Sequence, residues 1–417
     1  MNNLESLAEA LAKCSKCGDC QAVCPIYRET KKEGSVARGR NALLRFAMEE
    51  EIPFNGDFKE TLYECLLCGR CAENCSAGVP TPDILLAARE NLAQKDLPWG
   101  QKLIFHHLIP FPKRLMLTNR LLKIYQNTGL RYLLKKSGLI GVLGPLAKSE
   151  DVIPGIPPTF RDAQARLKEN PLQPTCRVGY FLGCGTNLLK PAQGIAAVNT
   201  LRQMGCRVEI PEVFCCGLPA VTYGQGEAAR ELARRNMDLL QKGNYDYIVS
   251  DCASCTSMVQ DYQKLFPPQD PYAATAKQMA AKIVDYAQLL LKLDPWKSLS
   301  GDGQKVTYHV PCHLARDLKA GEEPKEVLKK ITGIKYVELP EADVCCGAGG
   351  SYFVTHPELA ESILSRKMEQ IRTTGANQVV TSCPVCLMQL EHGARIFHVP
   401  VKARHLAEIV QEAWRLY

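Results

Sequence analysis

Several familiar features are missing from this chain of 417 residues. No run of 18 uncharged apolar residues occurs, so no segment is expected to span a bilayer unaided. The opening run MNNLESLAEALAKCSKCGDC has neither a basic n-region nor an apolar h-region, so no secretory signal is expected and the cytoplasm is the expected compartment. Dinucleotide fingerprints are also missing: CGAGGS at 346–351 lacks the G-x-G-x-x-G spacing and lies among cysteines. The chain is therefore expected to bind neither flavin nor NAD. Acidic residues are absent from Leu97 to Lys148, where nine Lys or Arg stand; these alone exceed the net charge of +7. Nucleic acid is not the expected partner, because KLIFHHLIPFPKRLMLTNRLLKIYQ interleaves its basic residues with Leu, Ile and Phe at helical spacing. That pattern suits a helix lying in a membrane interface or against a partner, or a basic surface on connecting helices.

What is abundant is cysteine, 20 residues in all. Clustered thiols in a chain with no export signal read as metal ligands or redox groups. Two runs, CSKCGDCQAVCP (Cys14, Cys17, Cys20, Cys24) and CLLCGRCAENCS (Cys65, Cys68, Cys71, Cys75), share the spacing C-x2-C-x2-C-x3-C. This is the bacterial ferredoxin pattern, in which three thiolates of one run and the fourth of the other hold one [4Fe–4S] cubane. Cys14, Cys17, Cys20 and Cys75 are then one ligand set, and Cys65, Cys68, Cys71 and Cys24 the other. Gly18 and Gly69 are expected to ease the tight turns that aim three sulfurs at three irons. Zinc also takes C-x2-C pairs, but eight cysteines in two matching runs fit two cubanes better. Ser76 stands where proline commonly follows the second run, with Pro80 soon after. Between the runs, SVARGRNALLRFAMEEE is expected to be a helix, with Arg38 and Arg40 serving its packing or a cluster's surroundings.

From about residue 176 the chain repeats itself. RVGYFLGCGTN pairs with KVTYHVPCHLA, VFCCGLPA with VCCGAGGS, and YIVSDCASC with QVVTSCPVC. Each copy has short β-rich runs ending at cysteines (178–182, 248–250, 306–310, 379–381) and followed by helical patterns. Parallel α/β layers are expected, with ligands at the carboxyl ends of the strands. Each copy supplies five thiols: Cys184, Cys215, Cys216, Cys252 and Cys255, then Cys312, Cys345, Cys346, Cys383 and Cys386. Five exceed the four of a cubane or a zinc site, and a vicinal pair lets one sulfur bridge two irons while its neighbour ligates terminally. Gly217 and Gly347 are expected to let the backbone approach the cluster. Cys176 and Cys206 are left over, as ordinary buried thiols.

Two ferredoxin runs followed by two copies of C-x30–32-CCG-x34–35-C-x2-C resemble the cysteine-rich CCG-domain proteins. These include the catalytic subunits of heterodisulfide reductase, the iron–sulfur subunit of glycolate oxidase and the third subunit of anaerobic glycerol-3-phosphate dehydrogenase. The resemblance implies that the ten cysteines above hold one or two further [4Fe–4S] clusters of noncubane type. GSVARGRNALLR and the second ferredoxin run are similar to the glycolate oxidase subunit, and residues 97–148 fall where that family has inter-domain helices. Many such subunits have lost a cysteine from the first copy, whereas DCASC here keeps Cys252 and Cys255, as heterodisulfide reductases do.

The expected fold is α+β and α/β: a helical two-cluster ferredoxin-like domain (1–96), a basic helical linker (97–175) and two duplicated α/β CCG domains (176–300 and 301–417) related by a pseudo-twofold axis. The expected function is electron transfer within a 2-hydroxy-acid (glycolate- or lactate-type) dehydrogenase complex. Electrons would come from an FAD-containing partner and leave for a quinone, a membrane cytochrome or an electron-transfer flavoprotein, with peripheral membrane contact through 97–148. The alternative is reduction of a disulfide between paired noncubane clusters. His309 and His313, flanking Cys312, are candidate proton donors, with hydrogen bonding around a cluster or plain packing as the simpler role for both. His106 and His107 are weaker candidates for a quinone site. A zinc-stapled scaffold is the third possibility, and the vicinal pairs speak against it.

Overall fold

The computed structural model describes residues 7–53, 56–95, 97–128, 155–294 and 299–415, with positions 133, 136, 137, 152 and 296 between them. From 7 to 128 the described chain is helix and turn alone. The helix between the cysteine runs spans Ala37–Met48 and stops before the acidic Glu49–Glu51. It buries Ala37, Arg40, Asn41, Leu44 and Ala47, a stripe at helical spacing. This stripe meets helix Thr81–Lys95 in a small core with Phe58, Leu62, Ile84, Leu85 and Leu92, and Asn41 Nδ2 donates to Thr81 Oγ1 at 3.1 Å.

The basic segment is not one helix. A short helix Trp99–Lys102 runs into a π-helical turn Leu103–Leu108, the chain bends at Pro110, and a second helix, Pro112–Asn127, begins with proline in its first turn. Proline there lacks an N–H that a helix start would leave unpaired anyway. The stretch 138–148 and most of 129–137 lie outside the described residues.

The repeated half contains two four-stranded sheets. Strands β1 (Cys176–Tyr180), β2 (Cys206–Glu209), β3 (Tyr247–Ser250) and β4 (Ile283–Asp285) lie in the order β2-β1-β3-β4. Strands β5 (Lys305–Tyr308), β6 (Lys335–Tyr336), β7 (Gln378–Thr381) and β8 (Lys402–His405) repeat that order as β6-β5-β7-β8. Every pairing is parallel. The strands expected from sequence are the central pairs β1/β3 and β5/β7, whose apolar residues are covered on both faces. The edges β2, β4, β6 and β8 are additional, each two to four residues long.

Both sheets share one hydrophobic core. Helix Pro191–Gln203, after β1, packs on the last helix, Leu406–Arg415, while Tyr286–Leu293, after β4, packs on Glu323–Lys330, after β5. Each copy thus lends an early and a late helix to the other. The exchange brings the carboxyl ends of the two sheets together: Ala253 N–H donates to Ser382 O at 2.9 Å, and His405 Nε2 lies 2.9 Å from Asp251 O.

Candidate metal centres

The two N-terminal runs fold alike, residue for residue. Lys16 and Leu67, each two positions after the first cysteine, take left-handed φ of 59° and 53°; Gly18 and Gly69 follow at 99° and 77°. The non-glycine positions each cost about 1–2 kcal/mol, a strain tolerated where a ligand loop must turn tightly. One small cavity is lined by Cys14, Cys17, Cys20 and Cys75, with Cys71 on its wall. Its neighbour is lined by Cys24, Cys65, Cys68 and Cys71. The fourth cysteine of each run therefore turns to the other run's cavity. Backbone N–H groups of Tyr27, Leu67 and Val79 point at the sulfurs of Cys24, Cys65 and Cys75 at 3.4–3.5 Å, contacts that favour thiolate and tune a bound cluster.

Of the arginines between the runs, Arg38 and Arg40 line one cavity each. Arg38 Nη1 donates to Lys16 O at 3.1 Å while Nε pairs with Glu33 at 2.6 Å, so its guanidinium covers the first loop. Arg40 is 1% exposed and donates to the carbonyls of Ser35 and of Thr61, the latter at 2.8 Å. Burial pushes the Cys24 thiol up, and the Arg40 charge opposes that shift.

In the repeated half all ten thiols follow the carboxyl ends of strands. Cys184 and Cys312 start one-turn helices beyond β1 and β5. Cys252 and Cys383 are the N-caps of helices Ala253–Gln260 and Pro384–Ile396 beyond β3 and β7. Helix N-termini favour negative charge, hence thiolate. The vicinal pairs lie in the loops after β2 and β6. Gly217 and Gly347 have φ of 95° and 84°, and a Cβ on Gly347 would stand 2.4 Å from Ala360 O. These glycines fit the turn and the neighbouring helix. Gly183, whose Cβ would stand 2.8 Å from Cys255 Sγ, is the one that clears a thiol.

The sulfurs form a connected series. Cys184 Sγ lies 3.9 Å from Cys215 Sγ. The Cys215 and then the Cys255 thiols donate to Cys216, bringing it down to about 5. Cys255 in turn meets Cys252. The second copy repeats this: Cys312 donates to Cys345, which also meets Cys346; Cys346 meets Cys386, and Cys386 meets Cys383. The series crosses between copies where the Cys252 thiol, ahead of Cys386, holds Cys383 well below the usual thiol range. Ser254 Oγ of the first copy lies 3.7 Å from Cys383 Sγ.

At its other end the second copy adjoins the second ferredoxin run. Burial, and next the charge of Cys345, push the Cys68 thiol up to about 12. Gly349 makes room for Leu66, whose Cδ2 would stand 2.7 Å from a Cβ there. Arg316, 5% exposed in its side chain, pairs with Asp343 and with Glu73 at 3.1 Å, and Arg70 approaches Asp343 at 3.8 Å. Arg89, which sequence reasoning passed over, lies buried within Thr81–Lys95. It donates to Leu62 O and Cys65 O at 2.7 Å and to Thr222 O at 2.9 Å, tying the second run to the first copy. A lone arginine inside ILLAARENLA was its only signal.

The histidines separate. His313 is half-buried at the seam between copies, its Nδ1 3.0 Å from Ser254 Oγ and 3.8 Å from Cys312 Sγ. His309 is 1% exposed; a ring nitrogen and the sulfurs of Cys346 and Cys386 all lie within 4.8 Å of one another. Burial pushes its pKa down to about 3. His106 is exposed and meets Gln225 Oε1 at 3.2 Å, and the His107 carbonyl accepts from Arg114 at 3.0 Å. Of the two thiols expected to be buried, Cys206 is and Cys176 is only half-buried; they face each other across β1 and β2 with sulfurs 2.7 Å apart. They stand at the amino ends of their strands, away from the ten.

Groups of four soft sulfurs converging on small cavities with N–H donors around them, and groups of five in contact with one another, fit iron–sulfur clusters. Sequence comparisons agree. Residues 10–79 match the 4Fe-4S dicluster domain, 178–260 and 306–391 the cysteine-rich domain CCG, and 97–153 the linker region of the glycolate oxidase iron-sulfur subunit. The probable glycolate oxidase iron-sulfur subunit of Bacillus subtilis (strain 168) is 30% identical over 97% of this chain and 94% of its own length. A subunit of the dihydromethanophenazine:CoB–CoM heterodisulfide reductase of Methanosarcina mazei is 26% identical over the same shares. Lactate utilization protein A of Halalkalibacterium halodurans is 31% identical over 57% of this chain and 98% of its own. The duplicated five-cysteine copies, the paired ferredoxin runs and a full-length relative at this identity place the chain in the family of CCG-domain iron–sulfur subunits of oxidoreductase complexes.

Proposed function

We propose that this chain is the electron-transferring subunit of a flavin-dependent 2-hydroxy-acid dehydrogenase complex of the glycolate or lactate type. Two cubane [4Fe–4S] clusters would be held by Cys14, Cys17, Cys20 and Cys75 and by Cys65, Cys68, Cys71 and Cys24. Two noncubane clusters would be held by the five cysteines of each copy, the copies being related by a pseudo-twofold axis through the Cys252–Cys383 contact. The domain limits 1–96, 97–175, 176–300 and 301–417 go with this reading. Bound clusters supply one-electron storage and transfer; the protein supplies the order in which their sites adjoin. The observation that carries the proposal is the series of sulfurs that runs from Cys312 and Cys345 through Cys383 and Cys252 to Cys184, with the second ferredoxin run beside it where Cys68 feels the charge of Cys345. Its order is first cubane, second cubane, second copy, first copy.

The partner would be an FAD-containing subunit and the acceptor a quinone or electron carrier. To test this, the chain is produced with and without a candidate FAD-containing dehydrogenase subunit, and bleaching of the cluster absorption is followed after adding glycolate or lactate. Bleaching is expected only in the complex; bleaching of the isolated chain by the hydroxy acid would refute the division of labour. We also assign the segment 97–148 to peripheral contact with the inner face of the membrane. The described residues contain no helix long and apolar enough to cross it.

A second reading, disulfide reduction between the copies, draws on a specific pair. Ser254 and His313 bridge the seam next to Cys312 and Cys383, where a proton could be delivered to a leaving thiolate. Reduction of a low-molecular-weight disulfide by the chemically reduced, isolated chain would favour it, and no turnover would exclude it.

A further inference from the structure

Several buried positions beside the thiols differ between the copies, Asp251 against Ser382 among them, and two of them give the second copy a basic side chain. Phe181 and His309 occupy the same place in the repeat: their backbone N–H groups donate to Val249 O and Val380 O, both at 2.8 Å, and both side chains are buried. Yet one is a hydrocarbon ring and the other an imidazole. Asn236 and Lys367 are likewise equivalent, each three residues beyond a matched buried pair, Leu232–Ala233 and Ile363–Leu364. Asn236 is satisfied by Phe214 N–H, Cys215 O and the Tyr262 hydroxyl. Lys367 is 1% exposed, donates to Glu341 O at 2.6 Å, and feels the charges of Cys346, Asp343 and Cys345.

Neither ring nitrogen of His309 makes a hydrogen bond of acceptable geometry. An unpartnered buried polar group costs about 1–3 kcal/mol, so such a ring calls for a partner at the place it faces. What it faces is the pair of sulfurs of Cys346 and Cys386. A buried ammonium near Cys346, one of those two sulfurs, offsets negative charge in a medium of low dielectric, and charge, hydrogen bonding to sulfur and burial are what set cluster potentials.

We infer that His309 contacts the second-copy cluster through a ring nitrogen and that, together with Lys367, it makes this site the more easily reduced of the two. The inference rests on the reading that the second copy holds a cluster. The reduced, more negative state is stabilised there by the ammonium and the imidazole, while Phe181 and Asn236 offer the first copy no such compensation. The more oxidising site would then stand next to the second ferredoxin run, and the first copy would be the harder to reduce.

The test uses the full chain, purified without oxygen and carrying ¹⁵N only in histidine. Pulsed EPR should show histidine nitrogen coupled to one of the two signals from the repeated half, the one with the higher midpoint in a redox titration, and H309F should remove that coupling. K367M should lower the midpoint of that signal and leave the other where it was. F181H should raise the midpoint of the other, a gain that no merely structural role for His309 predicts. Two signals with no histidine coupling, or midpoints unmoved by K367M and F181H, would overturn the inference alone. A single signal from the repeated half, with iron to match, would overturn the second cluster as well.

Discussion

Gly347 shows how closely the vicinal-cysteine loops are fitted. Its φ of 84° is left-handed, and an added Cβ would meet Ala360 O at 2.4 Å, whereas the equivalent Cβ on Gly217 would find Ala229 at 3.5 Å. G217A should therefore cost only the left-handed penalty, about 1–2 kcal/mol. G347A should cost clearly more and release iron from the second copy, because helix Pro357–Thr374 must move. Denaturant melts with parallel iron assays measure both; equal losses would mean that backbone angle alone matters. Arg89 is a residue of another kind. Arg89→Met should destabilise the chain by about 2 kcal/mol, since it leaves the buried carbonyl of Leu62 and the partly buried carbonyls of Cys65 and Thr222 without their donor. A change under about 0.5 kcal/mol, the range of ordinary surface substitutions, would show that water replaces the guanidinium there. Sequence singled out His309 because it neighbours Cys312. The structure turns its ring to Cys346 and Cys386, sulfurs that no spacing along the chain would pair with it.

Between the two cysteine runs the crossing is an arrangement of elements, and single substitutions can read it. Cys75→Ala should abolish the cluster of the first run and leave that of the second, while Cys24→Ala should do the reverse, as EPR of the two cubane signals would report. If each substitution removed the cluster of its own run, the crossed arrangement would fall. Helix Pro112–Asn127 turns Leu117, Leu121 and Ile124 outward, each 56–57% exposed, on a face shared with Lys113 and Arg120. Nine of the ten large exposed hydrophobic side chains described lie between Trp99 and Leu133. Apolar residues interleaved with cations and no acids suit anionic lipid. The full chain should sediment with vesicles containing phosphatidylglycerol and not with pure phosphatidylcholine, and L117E/I124E should abolish this. Failure to sediment with either vesicle would point to a protein partner instead. The sequence already carried this pattern of residues, but not the break at Pro110. Central strands were legible because they are buried runs ending at cysteines; the edges are too short and too charged to stand out.

At the scale of the whole molecule, motif spacing carried both the ferredoxin runs and the duplication. It could not carry the joining of the copies, which depends on helices of one copy packing on helices of the other. Nor could it reveal that the second copy, the later in sequence, is the one beside Cys68. Both follow from packing: Pro191–Gln203 against Leu406–Arg415 sets the seam, and Arg316 with Asp343, Arg70 and Glu73 fixes the second ferredoxin run to it. The central claim is that eighteen of the twenty cysteines form four cluster sites in one connected series. It is tested most directly by the iron and acid-labile sulfide content of the full chain purified without oxygen. About sixteen of each per chain are expected for four clusters of the [4Fe–4S] type; about eight of each, or zinc in their place, would contradict the account.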